Sequence, residues 1–270
     1  MRLILLCLAA LAGGCHSKAT HDRLANGEEL TLNDSGAVVD AAPRPATPAA
    51  KAGSLESNDA LLTSSLKWSA EVAAVPLLLA SIKADFARQQ ADLRKSATKD
   101  RKSAKSDGRD FHPYEQSRDY RTAGRSSALL SLAEDWYEYT GGAHPNHGTS
   151  GLLWDRAAKR QVKPIALFAR PANRDARLRA PYCAALEAER KKRRGNEPDT
   201  FFSDCPKLDD LALVPTDKSG GGRFDTILLH ADPYVAGPYA EGDYDIELPV
   251  TAALIAALKP EWRASFAAGR

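Results

Sequence analysis

Trp136–His147 reads WYEYTGGAHPNH. Trp136, Tyr137 and Tyr139 are aromatic with Glu138 among them, a Gly-Gly pair follows, and a polar tip closes the stretch. Clustered aromatic residues suit a strand, and paired glycines supply backbone angles closed to other residues, which a tight reversal needs. The stretch therefore predicts a hairpin. Leu130, Leu132 and Trp136 share one face of the outgoing strand, the loop occupies 141–149, and Gly151–Trp154 returns as its partner.

Downstream, Asp155–Lys159 reads as a second turn. Val162, Ile165, Leu167 and Phe168 then lead into a helix beginning near Pro171 and restarted at Pro181, with Cys183 and Leu186 inward. Phe224–His230 and Tyr244–Val250 are strand candidates separated by the turn-rich PYVAGPYAEG, and Thr251 is placed to cap a last short helix ending before Pro260. Upstream, residues 60–68 carry the partly alternating LLTSSLKW, a strand. Pro76 then opens a helix with Leu78, Ile82, Phe86 and Leu93 along one face. From Lys83 to Arg125 there are 12 Lys/Arg against 7 Asp/Glu, which reads as the solvated side of that helix. Strands and helices are grouped rather than regularly alternating. The expectation is an α+β fold, an antiparallel sheet with helices packed on one face, rather than a doubly wound parallel sheet. No internal repeat is visible.

The N-terminus sets the compartment. Arg2, the apolar run Leu3–Ala12 and the small residues Ala12, Gly13 and Gly14 form the three parts of a secretory signal peptide over 1–14. The run is too short to span a bilayer as a mature helix. Cys15, directly after the small residues, matches the lipobox of bacterial lipoproteins, in which that cysteine carries the acyl chains. Residues 15–58, with APRPATPAAKAG near their centre, lack an apolar period and predict a disordered, lipid-anchored tether. An N-terminal α/β part over 59–126 and a C-terminal α+β part over 127–270 follow. His16, where an aspartate would favour inner-membrane retention, points to a periplasm-facing protein at the outer membrane.

Removal of 1–14 takes away only Arg2, so the formal net charge of +2 falls by one and no global field directs the chain to nucleic acid. Cys7 leaves with the signal and Cys15 is acylated, so Cys183 and Cys205 remain as an even pair in a disulfide-permissive compartment. A bridge between them is expected, since neither has a nearby His or a second CxxC arm for metal or nucleophile chemistry.

Tyr139–Asn146 and Pro233–Gly242, YTGGAHPN and PYVAGPYAEG, resemble the signature segments of an extracytoplasmic bacterial domain family. Its members include the sensor part of the RsiV anti-sigma factor and the companion of the catalytic domain in the PdaC peptidoglycan deacetylase. The resemblance spans roughly Leu61–Phe266. It implies a non-catalytic envelope module, because the metal-binding TFDDG-type motif of the deacetylase domain is missing. In RsiV the related domain binds lysozyme, which implies a cationic protein partner or, alternatively, a peptidoglycan fragment. RsiV also has a transmembrane helix and a cytoplasmic sigma-binding segment, neither of which is read in this sequence.

The candidate binding residues are Tyr139, Gly141, Gly142, His144, Asn146, Tyr239, Glu241, Asp243, Asp245 and Glu247. The tip residues His144, Asn146 and His147 have two readings, a recognition loop or side chains that bond to the loop backbone and fix its shape. His144 and His147 are three apart with Pro145 between, outside a helix and without a further ligand at zinc-like spacing, so no metal site and no cofactor are expected. Glu241, Asp243, Asp245 and Glu247 alternate with apolar residues inside a stretch, Phe224–Leu258, that holds six acids and no Lys or Arg. A strand there would show a carboxylate face suited to a basic partner, to edge protection or to calcium. Arg190–Arg194, RKKRR, suggests a helix end whose cations favour the terminal carbonyls, or an anionic lipid site. No GxSxG elbow occurs. The competing class is a glycan hydrolase using Asp135, Glu138 or Asp243 as acid and base.

Overall fold

Leu62, Ser64, Leu66 and Trp68 turn inward while Thr63 and Lys67 face solvent, so the alternation read at 60–68 is a strand, Leu62–Trp68. The structure, a computed structural model, describes residues 31–32, 38–39, 50–195 and 201–269. The chain divides into two units, 1–49 and 50–270. In the first, β1 (Thr31–Leu32) pairs antiparallel with β2 (Val38–Val39). The expected signal peptide, Cys15 and most of the tether lie outside the described residues.

The second unit is α+β. Its larger sheet has six strands in the order β3 (Gly53–Asn58), β4 (Leu62–Trp68), β5 (Tyr114–Arg125), β6 (Leu129–Tyr139), β7 (Asn146–Asp155) and β8 (Arg160–Val162). A second, antiparallel sheet has β10 (Thr226–Ala231) between β9 (Ala212–Thr216) and β11 (Tyr244–Pro249). The helices are α1 (Ala70–Ala73), α2 (Pro76–Ser106), α3 (Pro171–Arg194) and α4 (Ala252–Ala257). Under α2, Leu78, Ile82 and Phe86 bury against Leu66, Trp68, Tyr120, Leu130, Leu132 and Trp154. Leu93 packs two turns further along, beside Leu62, Ala97 and Tyr114. A second core joins Leu178, Tyr182 and Leu186 of α3 to Leu229, Tyr244, Ile246 and Leu248 of the smaller sheet. Thr251 caps α4 as expected, accepting the Leu254 N–H.

Four features depart from the sequence reading. β4 and β5 run parallel, because the chain crosses between them through α1 and α2, and the larger sheet is mixed rather than wholly antiparallel. β3 lies inside the segment assigned to the tether; it is an edge strand with mostly exposed side chains, so GSLESN has no apolar alternation to reveal it. β5 occupies a stretch assigned to a solvated helix face. Its inward Gln116 and Arg118 both donate to the side-chain carbonyl of Gln89 on α2, at 2.9 and 3.0 Å, so polar groups fill positions that an apolar pattern would mark. Finally, α3 continues through Pro181 rather than restarting there. The lost backbone hydrogen bond is offset by burial of Leu178, Tyr182 and Leu186 along one face.

The hairpin forms as predicted, with Leu130 opposite Trp154 and Leu132 opposite Leu152, but β7 begins earlier, at Asn146. Gly151 decides how the second sheet meets the first. A Cβ there would stand 2.1 Å from the Leu213 carbonyl oxygen, so the absence of a side chain lets β9 close on β7. That contact carries the 232–245 segment over the start of β7.

Candidate functional site

The glycines of the hairpin tip sit at φ 92° for Gly141 and 106° for Gly142, where other residues are strained. The Tyr139 hydroxyl donates to the Gly142 carbonyl at 3.1 Å, closing the loop on itself. His144 bonds both inward and outward. Its Nδ1 is 2.8 Å from the Pro145 carbonyl and its Nε2 is 3.0 Å from the Tyr234 hydroxyl. Its ring also stacks on Tyr239 with centroids 3.8 Å apart. His147 meets the edge of Tyr239, centroids 5.6 Å apart. His144 thus supports the loop backbone, one of the two readings of the tip, and also joins the hairpin to PYVAGPYAEG. Asn146 opens β7 opposite Glu138 with its side chain exposed.

Tyr234, absent from the candidate residues, is the outermost ring of this cluster. It is 54% exposed and has φ 70°, a left-handed conformation uncommon for a non-glycine residue. The Tyr234 N–H donates to the Gly237 carbonyl at 2.9 Å, which holds that turn. Strain maintained by surrounding structure concentrates at ligand sites. On β6, the Tyr137 hydroxyl donates to Glu115 at 3.2 Å. His147, Tyr239, His144 and Tyr234 therefore make an aromatic track across the junction of the two segments. Beside Tyr139 lies a cleft of about 290 Å³, lined by Phe111, His112, Tyr114, Asp100 and Asp110 together with Gly141 and Gly142.

The acidic residues are placed otherwise than expected. Only Asp245 and Glu247 lie on β11, with Tyr244, Ile246 and Leu248 inward; Glu241 and Asp243 precede the strand. Each has a basic side chain beside it. Arg194 grips Glu241 through two 2.7 Å bonds, His147 Nε2 stands 3.3 Å from Asp243, His230 bonds Asp245 at 2.6 Å, and Lys218 meets Glu247 at 2.6 Å. The row is not an unpaired carboxylate face, because its partners come from α3, β7, β10 and the turn after β9.

His230, a second residue that the sequence left unremarked, lies buried between two carboxylates. Its Nδ1 donates to Asp245, and its Nε2 lies 3.0 Å from Asp232 Oδ1, off the axis of a linear hydrogen bond. Burial favours the neutral imidazole, but the two carboxylates outweigh it and raise the pKa to about 9. Asp232 also accepts the Thr149 N–H at 3.0 Å, tying β10 to β7. Asp135 sits next in this chain of charges. Burial raises its pKa, but the Arg121 guanidinium and the Thr149 hydroxyl overcome that effect and hold the carboxyl below the usual range.

The cationic run Arg190–Arg194 is built into the same region. Arg190 is buried and donates to the carbonyls of Ala236, Ser203 and Asp204. Arg193 donates to the carbonyls of Glu241 and Asp243 and lies over the Tyr244 ring at 3.9 Å. These side chains clamp PYVAGPYAEG to the end of α3 rather than facing an external anion. The expected disulfide is present, Cys183 to Cys205, and fixes the chain after α3 against that helix. Among the described residues no group of three or more His, Cys, Asp or Glu is arranged to hold a metal, and no helix is long and apolar enough to cross a membrane.

Residues 56–147 match a family model described as Deacetylase PdaC. That span runs from β3 to the beginning of β7, so it includes the first signature segment and stops before the second. Two solved structures are similar to the chain. A DUF3298 family protein from Pseudomonas aeruginosa PAO1 is 14% identical, with 81% of this chain and 97% of that chain covered and a TM-score of 0.45. A member of the DUF3298 family from Bacteroides fragilis NCTC 9343 is 19% identical, with 74% and 90% covered and a TM-score of 0.41. No curated protein matches the chain. The resemblance read from YTGGAHPN therefore has its counterpart in the match over residues 56–147.

Proposed function

We propose that this protein is a non-catalytic binding module of the cell envelope, anchored through Cys15, whose ligand is a glycan-bearing fragment of peptidoglycan. The observation that carries the reading is the aromatic track, in which Tyr239 and His144 stack while Tyr234 is held outward in a left-handed turn. Ring faces carry a negative quadrupole and suit the C–H faces of sugar rings. Tyrosines also supply contact area at small entropic cost. The cleft beside Tyr139, with Asp100 and Asp110 among its walls, adds acceptors for hydroxyl or amine groups.

A basic protein such as lysozyme has less support, because the carboxylates that would attract it each have a partner within the chain. Hydrolysis has less again. Asp135 and Glu138 are three apart on one strand and so point to opposite faces. The lowered pKa of Asp135 is the reverse of what a general acid requires.

The test is calorimetric titration of the full chain with soluble muropeptides, beside its Tyr234→Ala and Tyr239→Ala variants. Saturable binding that weakens about tenfold or more in either variant is expected. No heat with the unaltered chain, or equal affinity in both variants, would overturn the reading.

A further inference from the structure

Arg190 and Arg193 are engaged inside the fold, whereas a group of cations on α2 lacks carboxylate partners. Lys95, Lys99 and Lys102 recur at intervals of four and three, and Arg101 and Lys105 stand beside them; all five are exposed. Among the described residues, none of them has a carboxylate within salt-bridge distance. Earlier on the same helix, Arg88 pairs with Asp85, Arg94 pairs with Asp59, and Lys83 lies over the Trp68 ring. Asp100, the one acid between Lys95 and Lys105, accepts the Tyr114 hydroxyl. The opposite side of this stretch is fixed by Ala97 and Ala104, 0% and 2% exposed, so the cations are held outward by the packing of the helix.

From Lys95 to Lys105 the axis advances about 15 Å. We propose that this ridge is a docking surface for an anionic lipid bilayer, with Lys95, Lys99 and Lys102, which share one stripe of the helix, meeting headgroup phosphates. A straight convex row fits a plane. It contains no aromatic side chain and lines no groove, the two features that tracking a nucleic-acid strand requires. The apolar side of α2 is already in the core, so the helix adheres without inserting. The proposal is independent of the glycan reading.

The experiment is co-sedimentation of the full chain carrying Cys15→Ser, so that no acyl group contributes, with phosphatidylcholine vesicles and with mixed phosphatidylcholine/phosphatidylglycerol vesicles. Preferential binding to the mixed vesicles, lost at high salt, is expected. Each neutralised cation should weaken partitioning about fivefold, so Lys95→Gln, Lys99→Gln and Lys102→Gln together weaken it roughly a hundredfold. A control that neutralises Arg156, Arg177 and Lys207, exposed elsewhere, should change it little. No preference for the anionic vesicles, an equal loss in the control, or retention of a DNA duplex but not of vesicles would each overturn the proposal.

Discussion

At the scale of single residues, His230 is the clearest source of pH dependence. Its folded pKa of about 9 lies above the unfolded value of 6.5, so its ion pairs contribute fully below pH 6.5 and are lost as pH rises through 9. The contribution is on the order of 2 kcal/mol, allowing for the partial exposure of its partners. Thermal unfolding should therefore show a melting temperature that falls between pH 6.5 and 9, and His230→Gln should flatten that fall. The carboxyl of Asp245 is shifted the other way, chiefly by its bond to His230, so its share of stability is present above the ordinary carboxylate range and lost on acidification. The sequence displayed the glycines and rings of YTGGAHPN because local backbone chemistry demands them. It hid His230, Asp232 and Tyr234, whose roles arise only when β10 meets β7.

At the scale of elements, α3 shows why a charge run is a poor guide to a partner. RKKRR reads as a helix end whose cations favour the terminal carbonyls, or as an anionic lipid site, and the helix does end there, at Gly195. The rest of the assignment lay in Ala236, Ser203 and Asp204, whose carbonyls are brought to Arg190 by tertiary packing. Arg190→Met keeps the apolar stem but leaves those carbonyls unpaired, so chemical denaturation should show a loss of about 3 kcal/mol. Arg190→Lys should recover only part of it, because one ammonium cannot serve three carbonyls in a fork. The Cys183–Cys205 bridge, spanning 22 residues, was legible from cysteine count alone. Reduction should lower stability by about 3 kcal/mol, measured as a shift of the denaturation midpoint. β5 was illegible for the opposite reason: Gln116 and Arg118 fill inward positions with polar groups that Gln89 satisfies across the helix–sheet interface.

At the scale of the whole molecule, the junction of the two sheets makes the site. Gly151 permits it, because any side chain there would strike the Leu213 carbonyl. Gly151→Ala should cost about 2 kcal/mol or more, and in the folded fraction it should loosen the contact of Tyr239 with His144, seen as a change in the tyrosine ring signals. The fold class followed from the grouping of strands and helices, whereas the parallel β4–β5 pair did not, since pairing direction depends on the crossover and not on the strand sequences. The account rests on the aromatic track being the ligand face. The most direct measurement is a map of amide and ring resonances in the full chain while soluble muropeptides are added, with a parallel titration using lysozyme. The account predicts shifts centred on His144, His147, Tyr234 and Tyr239 with the muropeptides and weaker or no effect of lysozyme. Shifts centred elsewhere, or a response to lysozyme alone along Asp245 and Glu247, would contradict it.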